Sequence, residues 1–153
     1  MGEYMTLISA TTHGTPDTDQ SLIDITPAAN RQVKIVAIYV TVNSTGADAR
    51  MRVKLCRKSA QGAGSIAGTI VKADPGIDTS ANTTQVKDTT VAFAAGTITD
   101  TVIDDNFNDR APYTWVARDE DDMIKSGIAQ IIGINILSSA ASKVVHARIV
   151  WRE

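Results

Sequence analysis

The chain has 153 residues, with 15 basic and 17 acidic side chains and a formal net charge of −2. That length suits one domain with a real core, and so balanced a charge excludes a generic polyanion binder. One cysteine and two histidines exclude an intramolecular disulfide and leave little material for thiolate metal sites or a histidine-based triad.

Thr, Ala, Val and Ile dominate, a composition that favours sheet over helix. Tyr4–Ala10 and Ser21–Ile25 are two weaker strands around a polar loop with Gly14 and Pro16. Val33–Val42 is apolar on both alternating faces, the pattern of a central strand buried on both sides, and Asn43–Asp48 ends it as a turn. Arg50–Arg57 alternates with period two: Met51, Val53 and Leu55 face a core, and Arg50, Arg52 and Lys54 face water. Ser59–Gly68 is a small, polar loop, and Thr69–Lys72 a short strand. Thr83–Phe93 is a threonine-rich strand whose alternation slips near Asp88. Thr97–Ile103 is a strand, Asp104–Ala111 a polar loop and Pro112–Arg118 a strand carrying Tyr113 and Trp115. Asp119–Asp122 and Ser126–Gly127 are turns. Ile128, Ile132, Ile134 and Ile136 share one face of the next strand, and Val145, Ala147, Ile149 and Trp151 share one face of the last.

The pattern predicts an all-β fold: an antiparallel β-sandwich, jelly-roll-like, of about eight to ten strands. Residues 1–25 form an N-terminal strand or arm segment, or else part of the sandwich itself, and 26–153 the sandwich domain. No fixed-period repeat points to a propeller or solenoid. The longest apolar runs, Val33–Val42 and Ile128–Leu137, fall short of the about 20 residues of a membrane-spanning helix. With no basic start and apolar run at the N-terminus, the expectation is a chain made in a reducing cytoplasm with Cys56 as a free thiol.

Chemistry-bearing clusters are few. Asp104–Asp109 is the best cation candidate, but counted as an EF-hand loop its sixth residue is Asp109 and its twelfth Trp115, where that motif needs Gly and Glu; a solvated turn is the expectation, with no metal. Asp119–Asp122 on one turn cannot face each other across a cleft as hydrolytic carboxylates do. Cys56 lies beside Arg57, which favours a thiolate, yet neither His13 nor His146 is tied to it as a base, so a structural thiol is expected. The basic strip along Arg50–Lys58 lacks interleaved aromatics and reads as the solvated face of a strand, with no nucleic-acid role. His146 and Arg148, on the polar face of the last strand, would line a subunit interface, His146 as a pH-sensitive contact.

Taken in order, Val33–Asn43, Met51–Arg57, Gly62–Ser65, Val71–Pro75, Ile124–Ile128, Ile132–Ile134 and Ala147–Glu153 resemble the segments of small jelly-roll structural proteins of tailed bacteriophages. The turn before the penultimate strand, Asp121–Gly127, departs from the Gly- or Pro-rich turn usual there. The resemblance implies a β-sandwich subunit, often a homotrimer, that binds the major capsid protein on the virion surface as a decoration or cement protein. It implies no enzymatic activity and no cofactor. Tyr4, Leu7 and Ile8 on the N-terminal segment, with His146 and Arg148, are the expected interface residues, the segment acting as an arm on a neighbour's sheet edge. The alternative is a receptor- or carbohydrate-binding module of a tail or fibre, built on Phe107, Tyr113 and Trp115, although aromatics are only 5% of the chain. A cupin-type enzyme is disfavoured, since two separated histidines do not supply its metal ligands.

Overall fold

A computed structural model of the chain describes residues 2–13, 15–43, 48–87 and 93–153. The expected turn at 43–48, the glycine of the first polar loop (Gly14) and the slip near Asp88 lie wholly or partly outside the described residues. Among those described, the chain is all-β, with twelve strands: β1 Glu3–His13, β2 Gln20–Thr26, β3 Lys34–Asn43, β4 Arg50–Ala60, β5 Ser65–Ala67, β6 Ile70–Lys72, β7 Thr83–Lys87, β8 Thr97–Asn108, β9 Tyr113–Val116, β10 Ile124–Lys125, β11 Ile131–Ser138 and β12 Lys143–Arg152.

They form two antiparallel sheets packed as a sandwich. The first runs β10-β3-β12-β1-β6, with β9 also on β3; the second runs β5-β7-β2-β11-β4-β8. The pairing of the principal strands is nested. β1 pairs with β12, β2 with β11, β3 with β9 and β4 with β8. β12 and β11 then bridge β1 to β3 and β2 to β4.

The core follows from strand alternation, which sends every second side chain inward. Ile38 and Val40 of β3, Val145, Ala147 and Ile149 of β12 and Ile8 of β1 meet Met51, Val53 and Leu55 of β4, Ile132, Ile134 and Ile136 of β11 and Ile23 and Ile25 of β2, all buried. Tyr4 and Trp151 close one end, their rings stacked at 6.1 Å.

Residues 1–25 contribute strands to the sandwich: β1 lies between β12 and β6, and β2 between β11 and β7. Four sequence expectations change. Ser59–Gly68 is not all loop, because β4 runs on to Ala60 and β5 takes Ser65–Ala67. β3 is central, but its second face is only partly buried: Ala37 is covered, Tyr39 half-buried and Thr41 exposed. The expected loop at Asp104–Ala111 is largely strand, because β8 runs on to Asn108 along β4. Ile128 does not share the isoleucine face; it precedes β11 and is 65% exposed.

Candidate interface on the outer face of the first sheet

Since Tyr4, Thr6 and Ile8 point inward, Met5 and Leu7 point out from the first sheet. The register carries this outward set straight across it. Val71 of β6 stands opposite Met5, Met5 opposite Val150, Val150 opposite Ala37 and Ala37 opposite Val116 of β9. This row is apolar over five strands, with Val71 and Val116 exposed at its ends. In the next row Leu7 faces Arg148, Arg148 faces Tyr39, and Tyr39 faces Thr114. Leu7 is 50% exposed. The guanidinium carbon of Arg148 lies 4.1 Å from the centre of the Tyr39 ring, close enough for cation–π attraction. Arg148 Nε is buried and has no hydrogen-bond acceptor among the described residues. His146 opposite Thr41 begins a third row. Leu7, Ile8, Tyr39, Thr41, His146 and Arg148 line a shallow depression of about 300 Å³.

Three of the five residues expected at an interface, Leu7, His146 and Arg148, therefore share this face. Ile8 points inward into the core at 7% exposed, and Tyr4 does not join them either. It is 2% exposed, packs on Trp151, and donates its hydroxyl hydrogen to the carbonyl of Asp78 at 3.0 Å. The sequence reading missed Met5, Tyr39, Val71, Val116 and Val150; the outward parity of β1 and β12 pointed to Met5 and Val150, but only the register brings in β6 and β9.

No protein-family model and no curated protein matches this chain.

The outer face of the second sheet is different. Arg52 makes a two-pronged contact with Asp104 at 2.5 Å, Arg57 meets Asp100 at 2.5 Å and Lys54 meets Asp19 at 2.6 Å. These pairs tie β4 to β8 and to the segment before β2. The acids of the expected cation loop diverge: Asp104 goes to Arg52, Asp105 accepts from the Tyr113 hydroxyl at 2.8 Å, and Asp109 is buried against Lys143 at 2.6 Å. Alternation along a strand sends neighbours to opposite faces, so they do not converge on an ion. At the acidic turn, Asp119 Oδ1 accepts from the backbone N–H groups of Asp121 and Asp122, and Arg118 pairs with Asp122 at 2.6 Å.

Cys56 is buried, with Sγ 3.8 Å from Thr101 Oγ1, and burial raises its thiol above the usual range, the opposite of an activated thiolate. Lys58, expected in the solvated strip, is fully buried against Asp24. Phe107, Tyr113 and Trp115 are partly buried and packed against the core, with Phe107 and Tyr113 in tilted contact at 5.7 Å.

Proposed function

We propose that this chain is a non-enzymatic virion structural protein, a decoration or cement subunit of a bacteriophage head shell. It associates with further copies of itself, as a trimer, through the outer face of the first sheet, and docks on the major capsid protein. The observation that carries the reading is the set of exposed apolar side chains on this face, Leu7, Val71 and Val116, set around the covered Val150 and Ala37. Exposed apolar groups gathered on one face mark contact surfaces. The vacant Nε donor of Arg148 adds a polar group that an acceptor from another chain would satisfy.

The winding supports the same reading. Nested pairing of first with last strand, second with next-to-last, and so inward is the connectivity of a jelly roll, an architecture common in viral shells. It fits the resemblance of the sequence to small phage structural proteins. Cementing needs no chemistry: contacts available only in the assembled lattice stabilise that lattice by mass action. A carbohydrate-binding module would instead display aromatic rings to solvent; here Phe107, Tyr113 and Trp115 pack against the core.

The test is light scattering after size exclusion, followed by co-sedimentation with shells of the capsid protein encoded in the same genome. A trimer that co-sediments and raises the shell's heat resistance supports the reading. A monomer that never co-sediments defeats it.

A further inference from the structure

The outer face of the second sheet holds a group of side chains that its position does not lead one to expect. Asp24 of β2 stands opposite Gly133 of β11, and Gly133 opposite Cys56 of β4. Lys58, two residues beyond Cys56, points out on the same side. Strands β2 and β4 are not neighbours; β11 lies between them. Gly133 lets their side chains meet across it. A Cβ there would collide with the Asp24 carboxylate and with the Ile23 carbonyl. The segment at Phe93 covers the group. The Phe93 carbonyl accepts from the Ser21 N–H at 2.9 Å, and Ala94 forms a bridge with Gln20. Beneath it, Ser21, Asp24, Lys58, Phe93 and Asn135 are all 0% exposed.

Lys58 Nζ lies 2.7 Å from Asp24 Oδ1. It also donates to Ser21 Oγ, which in turn donates to Asn135 Oδ1 at 3.1 Å. The Phe93 ring centre is 6.0 Å from Nζ. Asp24 Oδ2 has no hydrogen-bond partner among the described residues. A carboxylate left half-satisfied in a dry site is costly, even when paired. The amine is thus in hydrogen-bond contact with the carboxyl group whose carbon it would attack, and holding two reacting groups together supplies much of what such a step needs.

We propose that Lys58 and Asp24 join in an intramolecular amide bond, a covalent cross-link between β2 and β4 passing over Gly133. The ion pair first moves one proton from Nζ to the carboxylate, leaving a neutral amine and a neutral acid. The Nζ lone pair then forms the Nζ–Cγ bond, and one Cγ–O bond breaks. That oxygen leaves as water with two of the three ammonium protons; the third stays on the amide nitrogen, facing Ser21 Oγ. No oxidant, reductant or co-reactant enters, and two buried charges disappear. Burial holds the Asp24 carboxyl above the ordinary carboxylate range, which favours the neutral acid the step requires. Ser21 and Asn135 act as positioning residues for the amine. The inference rests on the fold alone and stands apart from the proposed role in a phage head.

The experiment is intact-mass spectrometry of the purified full chain after incubation in native buffer, with tandem sequencing of its proteolytic fragments. The expected mass is one water below that of the sequence, with a branched peptide joining the segment of Lys58 to that of Asp24. Chain kept in denaturant from synthesis should show the full mass. Lys58→Arg and Asp24→Ala should each restore the full mass. Native wild type at full mass overturns the proposal without reference to any variant. Loss of ammonia in place of water assigns the bond to Asn135 and also overturns it. Persistence of the water loss in Lys58→Arg marks cyclisation at an aspartate and does the same.

Discussion

The Arg148 guanidinium carbon lies 4.1 Å from the centre of the Tyr39 ring, in the middle of the outer face of the first sheet. Cation–π attraction at this range holds the long side chain down across β12 and β3, and Leu7, opposite Arg148 on β1, stays half-exposed beside it.

Charges placed on that face should separate the subunits while leaving each one folded. Leu7→Glu combined with Val116→Glu adds carboxylates at two exposed positions, where substitutions usually shift stability by about 0.5 kcal/mol or less. Light scattering should give a monomer for the double variant and a larger species for the wild type. An unchanged mass in solution would remove this face from the assembly.

Gly133 is the point at which the second sheet has no slack. Gly133→Ala sets a methyl group against the Asp24 carboxylate and the Ile23 carbonyl, and overpacking of this kind costs about 1–3 kcal/mol. Urea unfolding should show the midpoint falling with little change in slope. The same variant should carry less of the Lys58–Asp24 linkage, because the methyl displaces the acid. A midpoint equal to the wild type would mean that β11 shifts freely, and that Gly133 is not what lets the two side chains meet.

How legible this was depends on what the alternation encodes. Met51, Val53 and Leu55, and Val145, Ala147, Ile149 and Trp151, were placed by period two alone, since each faces one core. β2 reads as a weaker strand beside a polar loop, yet it is buried on both faces, with Ser21 and Asp24 among its buried residues. Ser21 and Asp24 of β2 meet Lys58, Asn135 and the cover at Phe93, partners far away in sequence that no local pattern reveals. Gly133 within an isoleucine run was the one available sign, since an isolated glycine in a strand marks a close approach. β3 misled in the opposite direction. Tyr39 looks like an interior residue, yet it is only half-buried, and Thr41 beyond it is exposed. The row Val71–Met5–Val150–Ala37–Val116 draws on five separate segments, so it exists only once the register is known.

Lys143 and Asp109 form a second ion pair, 2.6 Å apart, with side chains 7% and 0% exposed. Removing one member of a buried pair costs about 3–5 kcal/mol, because the remaining charge loses this counter-charge. Asp109→Ala should lower stability by that order. Asp109→Leu with Lys143→Met should recover most of the loss, because an apolar pair of similar volume avoids desolvating two charges. Denaturant unfolding of the single and double variants checks both. A double variant as unstable as the single would show that the pair positions the end of β8 through its hydrogen bonds.

His13 should make stability fall as the solution is acidified. Its ring is fully buried, with Nε2 2.9 Å from the Thr18 carbonyl. A carbonyl only accepts, so Nε2 carries the proton and Nδ1 is left as a buried acceptor with no partner among the described residues. Burial is the main cause holding this imidazole below its ordinary value; the Lys87 charge acts in the same direction, and the Thr18 hydrogen bond and Asp19 oppose it. A lowered value means that the unfolded chain binds the proton more readily, so stability increases with pH. The His13 contribution is complete above about pH 6.5, the ordinary imidazole value, and drains away as pH falls from there towards the lowered value of the folded chain. Within that window the slope is bounded by the one-proton limit of about 1.4 kcal/mol per pH unit. Urea midpoints measured between pH 7 and pH 5 should therefore decline in the wild type. They should stay nearly level in His13→Gln, whose amide can still donate to Thr18 and does not titrate. Parallel declines in the two proteins would place the acid sensitivity elsewhere.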